Sequence, residues 1–233
     1  MNKFSKIADG LGGWLTFEQR CGRYPLFCES YLAYSIGQLL QYRFPGKVLS
    51  EIEHPILSGG REGPGRKPRI DFAVKGKDNR FDLAVETKWV SKSPTLIRDI
   101  VRDIVRLDLL LPNVASEALL ILAGNVKNLN RLLQDPILRA EGEKPVLVRE
   151  DYYKSAVYFF YRLSELRRDF YSKVLKVFKD VEISSTIQLQ RSGPFPRHTN
   201  TDQFQVYIWR IVPRGFPFKP EEYEKISVHP RQR

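Results

Sequence analysis

The segments Arg69-Ile-Asp-Phe-Ala-Val74 and Phe81-Asp-Leu-Ala-Val-Glu-Thr-Lys-Trp-Val90 decide the fold of this chain. In both, large apolar residues alternate with small or charged ones, a pattern typical of strands that have one apolar face. The residues between the two segments favour a turn. If Asp78-Asn79 is a two-residue hairpin loop, Asp71 lies directly opposite Glu86. The pattern therefore predicts an antiparallel hairpin with an acidic pair on its polar face.

The opposed carboxylates predict a metal site. Side chains directly opposite each other have Cβ atoms about 5 Å apart, and like charges there destabilise a sheet. A divalent cation between Asp71 and Glu86 would remove that cost, and Mg²⁺ prefers oxygen ligands. Lys88 lies on the same face, where its ammonium can orient or deprotonate an attacking water, or neutralise charge on a phosphorane. The alternative is a solvated sheet face with a simple Lys–Glu pair.

At Asp71 and Glu86-Thr87-Lys88 the chain resembles the PD-(D/E)xK nuclease superfamily. The resemblance covers about residues 25–125, and Ile70 stands where the motif name has proline. It implies an α/β protein with a restriction-endonuclease-like α-β-β-β-α-β core, in which helices flank a mixed central sheet. It also implies a Mg²⁺-dependent endonuclease, with Mn²⁺ able to substitute, whose expected substrate is DNA.

The same resemblance assigns roles to the motif residues. Asp71, Glu86 and the backbone carbonyl of Thr87 would hold the metal, and Lys88 would assist the nucleophile. Restriction or another defence role is the first biological setting it suggests, and repair or recombination is the second. Because the superfamily contains members that bind without cutting, a non-catalytic nucleic-acid-binding protein is the alternative.

Glu29 is a further candidate for the metal site. The segment Leu26–Arg43 predicts a helix on which Glu29 shares a face with apolar residues, an unfavourable place for an unpaired carboxylate. Many superfamily members carry a metal-linked acid on their first helix, and Glu29 fits that place. A glutamate favoured by the helix dipole is the simpler explanation. Glu51 and Glu53, on the next predicted strand, compete for the same role.

The basic residues favour a polyanionic partner. The formal net charge is +11 and the sequence pI is near 9.6, as in proteins that bind nucleic acid. A glycine-rich loop over residues 59–69 carries Arg66, Lys67 and Arg69, which we expect to bind phosphates unless the loop is an ordinary solvated linker. Arg98 and Arg102, on a helix predicted over 96–111, are further candidates, although opposite charges at spacings of three and four also support a helix by themselves.

Other features of the sequence predict a cytoplasmic protein without a membrane partner. The N-terminal residues lack an apolar signal core, and no segment is long and apolar enough to span a bilayer. Cys21 and Cys28 match no zinc spacing and are expected to be free thiols in a reducing compartment.

The remaining pattern predicts a nuclease-like core over residues 1–145 and a helical and β-hairpin extension over 146–233 that packs on it. In the core, a buried strand is expected at 117–123 and a short helix at 125–135. In the extension, aromatic residues at helical spacing predict a helix over 151–180, either a core helix or a dimer surface, so a homodimer is left open. Two strands are expected at 183–190 and 203–212, and an extended surface tail from Pro213.

Overall fold

The computed structural model describes residues 4–58, 67–135, 157–162, 174–197 and 203–220. The helices and strands within these ranges are α1 (Ser5–Arg20), α2 (Glu29–Arg43), β1 (Val48–Glu53), β2 (Arg69–Lys75), β3 (Phe81–Val90), α3 (Leu96–Leu109), β4 (Ala118–Asn125), α4 (Val126–Leu133), β5 (Val157–Arg162), β6 (Ile183–Phe195) and β7 (Phe204–Phe218). The described strands form one seven-stranded sheet in the order β1-β2-β3-β4-β7-β6-β5.

The sheet is mixed. β3 and β4 are parallel, and all other neighbouring strands are antiparallel. A parallel pair needs a crossover connection, which α3 provides here. The predicted α/β class, with helices flanking a mixed sheet, is confirmed.

The β2–β3 hairpin has the predicted turn, and its register is the predicted one from Phe72 to Val74, with an irregularity between Val74 and Lys75. Phe72 pairs with Val85, the register that a loop at Asp78-Asn79 requires. Asp78 and Asn79 have φ values of 55° and 58°, as both central residues of a type I′ turn must. Among the described residues, backbone pairing of β2 with β3 ends at Phe72 and Val85, while β3 continues beside β4 to Val90. The second half of β3 therefore extends beyond its β2 partner.

Two apolar layers hold the helices on the sheet. α1 and α2 cover one face through a buried set that includes Leu11, Leu15, Leu32, Ile36, Leu40, Leu83 and Val85. α3 and α4 cover the other face through a set that includes Ile100, Val101, Ile104, Leu107, Leu129, Ala84 and Val90. Because side chains alternate along a strand, Glu86 and Lys88 lie on the α3 side of β3, with Ala84 and Val90.

The predicted start of the second helix is wrong by three residues. Tyr24–Leu26 form a short 3-10 turn that contains Pro25, and α2 begins at Glu29. Phe27 and Cys28 have ψ values of 114° and 178°, so the backbone is extended between the two elements. Glu29 is therefore the first residue of the helix rather than part of its second turn.

The predicted helix over 151–180 is wrong at Val157–Arg162, which is strand β5. This segment, Val-Tyr-Phe-Phe-Tyr-Arg, contains four aromatic residues and one β-branched residue, types that favour strands, and β5 pairs with β6 along its whole length. The surface tail predicted from Pro213 is also wrong as far as Phe218, because β7 continues to that residue and pairs with Ile183. The predicted domain boundary after residue 145 lies outside the described residues.

Cys21 and Cys28 are free and exposed, as predicted. Across the described ranges, every helix is too short or too polar to cross a membrane.

Candidate functional site

A cluster of charged residues lies where the second half of β3 meets α3 and the start of α2. Its members come from four elements and are Glu29, Asp71, Glu86, Lys88, Asp103 and Arg106. Four of them were candidates from the sequence, and the structure adds Asp103 and Arg106.

Asp71 is held by Thr87. One carboxylate oxygen, Oδ2, accepts hydrogen bonds from the backbone N–H and the side-chain hydroxyl of Thr87, both at 2.7 Å. Backbone pairing of the two strands has already ended at this level. The Asp71 carboxylate therefore accepts the hydrogen bond from the Thr87 N–H that a backbone carbonyl of the neighbouring strand would otherwise accept. The carboxylate is thereby fixed beside β3, and its charge helps to raise the pKa of Glu86.

Lys88 bridges α2 and α3. Its ammonium lies 3.2 Å from Glu29 Oε1 and 3.2 Å from Asp103 Oδ2, and the side chain is only 17% exposed. Burial alone would lower the pKa of Lys88, but the carboxylates of Asp103 and Glu29 outweigh it and raise that pKa above its ordinary value. Lys88 therefore stays protonated at neutral pH in this arrangement.

Glu86 is almost completely buried and pairs with Arg106. Arg106 Nη2 lies 3.0 Å from Glu86 Oε1, and Nη1 lies 3.1 Å from Asp103 Oδ1. Burial, and then repulsion from Asp103, raise the pKa of Glu86 well above its ordinary value, against the opposing effect of Arg106. Burial likewise raises the pKa of Asp103.

The composition of the cluster fits a divalent cation. If all groups are ionised, four carboxylates face two cationic side chains and leave a formal charge of −2. Glu86 Oε1 and Asp103 Oδ2 are buried, and each contacts a cationic side chain, Arg106 at 3.0 Å and Lys88 at 3.2 Å respectively. Carboxylate oxygens are the donors that Mg²⁺ and Mn²⁺ prefer.

The arrangement of the cluster is not that of an assembled metal site. In the described part of the chain, no three His, Cys, Asp or Glu side chains are grouped closely enough to hold a metal ion. Lys88 and Arg106 bridge the carboxylates instead. A metal ion could bind Glu86 only if the ion pair between Glu86 and Arg106 were broken.

On an amphipathic helix, charged residues such as Asp103 and Arg106 would ordinarily lie on the outer, solvated side. Asp103 is instead buried, with only 4% exposure, among the residues that face the sheet. The sequence does contain a signal, because Asp103 lies three residues after Ile100 and four before Leu107, both on the apolar stripe. An acid at that position must find a cationic partner on the element that the helix covers.

Glu51 and Glu53 do not join the cluster. They form exposed ion pairs with the basic loop candidates, Glu53 with Lys67 at 3.3 Å and Glu51 with Arg69 at 4.0 Å. The structure brings Glu29, rather than either of these acids, to Lys88. Arg66 lies outside the described residues.

An open pocket lies beside the cluster. It has a volume of about 340 Å³ and is lined by Lys88, Asp99, Arg102, Asp103 and Arg106, with Leu57, Pro68, Val177 and Phe178. Arg102 also forms a 3.8 Å ion pair with Asp99. Of the two arginines predicted to approach nucleic acid from this helix, Arg102 lines the pocket and Arg98 does not.

Comparisons of the chain with family models, with curated proteins and with solved structures find no match. We therefore infer a function from the geometry of the cluster and from the sequence motif.

Proposed function

We propose that this protein is a divalent-metal-dependent nuclease that hydrolyses phosphodiester bonds of nucleic acid, with DNA as the expected substrate. The observation that carries the proposal is the position of Lys88. Its ammonium lies 3.2 Å from carboxylates of two different helices, on the same side of β3 as the buried Glu86. Asp71 is held against the same strand by two hydrogen bonds.

The order of the elements supports the proposal. The chain runs α2-β1-β2-β3-α3-β4. Strand β2 is antiparallel to both β1 and β3, and β4 is parallel to β3. This is the α-β-β-β-α-β order that a restriction-endonuclease-like core implies. Asp71 lies on the second strand and Glu86 and Lys88 on the third, which matches the places of the motif residues.

In the proposed site, Asp71, Glu86 and the backbone carbonyl of Thr87 would hold Mg²⁺ or Mn²⁺, and Glu29 would add a further carboxylate. A cation bound there polarises the phosphodiester and lowers the pKa of a bound water. Because its pKa is raised, Lys88 acts as a cation that orients the nucleophile and offsets negative charge in the transition state, rather than as a base. Asp103 positions that ammonium from α3, while Glu29 contacts it from α2.

The direct test is cleavage of plasmid, single-stranded DNA and RNA by the purified protein in chelator, Mg²⁺ and Mn²⁺. Asp71→Ala, Glu86→Ala and Lys88→Ala should each abolish cleavage that depends on the metal. Asp82→Ala, an exposed position on the same strand, is the matched control and should cleave normally. Absence of metal-dependent cleavage with all three substrates would overturn the proposal.

The ion pairs within the cluster favour a second candidate, a nucleic-acid-binding protein without catalysis. Lys88 and Arg106 already form ion pairs with Glu29, Asp103 and Glu86, so these three carboxylates have cationic partners without a metal. If the protein binds nucleic acid without catalysis, its affinity for an oligonucleotide should be equal in chelator and in Ca²⁺, and no cleavage should occur. If the protein is a nuclease, it should bind the oligonucleotide more tightly in Ca²⁺ than in chelator, because Ca²⁺ can occupy an oxygen site without supporting the same chemistry.

A further inference from the structure

We propose that Arg106 is an exchangeable counter-ion: it neutralises Glu86 in the metal-free protein, and it turns to a substrate phosphate when a divalent cation takes Glu86. This inference rests on the proposed function and adds a residue that lies outside the sequence motif. It assigns Arg106 a part in both metal binding and substrate binding.

The first support is the contact itself. Arg106 Nη2 lies 3.0 Å from Glu86 Oε1, and the Glu86 side chain is only 4% exposed. A buried carboxylate that is ionised and lacks a counter-charge is strongly unfavourable, so ionised Glu86 needs a cation at this place. A metal ion bound to Glu86 would itself supply the counter-charge. It would also repel the Arg106 guanidinium, which lies 3.0 Å from the same carboxylate oxygen.

The second support is that Arg106 has a second anchor. Its Nη1 lies 3.1 Å from Asp103 Oδ1, one turn earlier on the same helix. This ion pair does not involve Glu86 and can persist when Glu86 changes partner. Arg106 would therefore stay in the site after the exchange, with Nη2 available to another anion.

The third support is the pocket. Arg106 lines an opening of about 340 Å³ together with Lys88 and Arg102. That volume lies within the range of small-molecule sites, and one nucleotide phosphate with its sugar is an occupant of suitable size. A planar guanidinium is well suited to phosphate because it can donate two parallel hydrogen bonds.

The exchange predicts opposite effects on two ligands. Arg106→Gln removes the group that competes with the metal, so the variant should bind Mn²⁺ roughly tenfold more tightly than the wild type in calorimetric titration. The same variant should lose most of the gain in affinity that Ca²⁺ gives for a duplex oligonucleotide. Arg106→Lys keeps the charge and should bind Mn²⁺ much as the wild type does.

The matched control is Arg210→Gln. Arg210 lies on β7 and forms a comparable ion pair with the partly buried Glu117, at a distance of 3.5 Å. Its loss should leave both affinities unchanged. A fixed structural role for Arg106 predicts that Arg106→Gln weakens Mn²⁺ binding or leaves it unaltered, and either result would overturn the exchange.

A measurement on the wild type keeps the test decisive if Arg106→Gln fails to fold. In protein labelled with ¹⁵N-arginine, Mg²⁺ should shift the guanidinium resonance that disappears in Arg106→Lys. If the wild type binds Mg²⁺ and that resonance does not move, the exchange is wrong while the nuclease proposal stands. If the wild type binds no divalent cation at all, the proposed function fails, and the exchange fails with it.

Discussion

The Asp71 carboxylate accepts two hydrogen bonds from Thr87, one from the backbone N–H and one from the hydroxyl, each 2.7 Å long. These two residues lie 16 positions apart, on neighbouring strands, at the level where backbone pairing of the strands has ended. The middle residue of the Glu-x-Lys triplet is therefore not a spacer, because it fixes the first acid of the motif.

Replacing Thr87 by Val should loosen Asp71. The change keeps the branched shape but removes the hydroxyl donor, and we expect the free energy of unfolding to fall by about 2 kcal/mol, as for a hydrogen bond to a charged acceptor. Thr16→Val is the control, because the Thr16 hydroxyl donates to a neutral helix carbonyl at 2.9 Å. Urea melts should show a larger loss for Thr87→Val, and equal losses would mean that the hydroxyl adds nothing special to Asp71.

Replacing Asp71 by Asn should separate metal binding from folding. The amide oxygen can still accept from Thr87, and one negative charge beside Glu86 disappears, so the melting temperature in chelator should not fall. A metal that binds only the folded wild type at a hundred times its dissociation constant adds about 2.7 kcal/mol. Asp71→Asn should lose most of that gain in a Mn²⁺ titration, while Asp82→Asn keeps it. Equal stabilisation of all three proteins would put the metal elsewhere.

The hairpin could be predicted because its signals are local. Apolar side chains recur at every second residue of β2 and β3, which identifies the apolar face of each strand. The turn at Asp78-Asn79 then fixes their register. Asp103 and Arg106 could not be assigned in the same way. The position of their partners, Lys88 and Glu86, depends on how α3 crosses over the parallel β3–β4 pair, which the helix sequence does not encode.

Strand β5 shows a second limit of the sequence. The aromatic residues at 157–162 satisfy helical spacing and strand alternation equally well, as short apolar runs often do. Pairing with β6, more than twenty positions later in the chain, decides between them. A pairing over that distance leaves no mark within the segment itself.

Asp103 should control the reactivity of Lys88. Its carboxylate is the charge that contributes most to the raised pKa of Lys88, so Asp103→Asn should lower that pKa. Because only the neutral amine reacts with acetic anhydride, Lys88 should be acetylated faster in the variant at pH 8, as mass spectrometry can measure. Asp99→Asn, which changes an acid of the same pocket without contact to Lys88, should react like the wild type. Unchanged labelling in Asp103→Asn would show that Asp103 does not hold the ammonium.

The basic loop should bind phosphates of the nucleic acid. Arg66, Lys67 and Arg69, replaced together by Gln, should weaken oligonucleotide binding for every sequence. The slope of log affinity against log salt should fall by about 0.9 for every phosphate that the loop no longer binds. A triple replacement of the exposed Lys75, Lys77 and Lys127 removes the same charge from other surfaces and should change the slope less. If the two triple variants have the same slope, only net charge matters and the loop does not touch the nucleic acid.

A second buried acid on α3 should make stability depend on pH. Asp108 Oδ2 accepts a hydrogen bond of 3.3 Å from the backbone N–H of Ser184, and burial raises the pKa of Asp108 to about 6. His54 has the opposite effect on how stability changes with pH. Burial lowers its pKa to about 4, while Nε2 lies 3.0 Å from the Arg106 carbonyl and Nδ1 accepts from backbone N–H groups. The stability that neutral His54 supports is lost as the pH falls from 6.5 towards 4.

Asp108→Asn isolates the contribution of Asp108, because His54 is present in both proteins and cancels in the difference. Between pH 3.8 and about 6 the folded wild type holds a proton that the unfolded chain has released, so this contribution is full below 3.8 and is lost as the pH rises through 6. A pKa shift of this size corresponds to about 3 kcal/mol. Urea melts should therefore find Asp108→Asn more stable than the wild type at pH 7.5 by up to that amount, with the advantage shrinking as the pH falls towards 4. A difference for Asp108→Asn that stays constant from pH 4 to 7.5 would contradict a raised pKa in the folded protein.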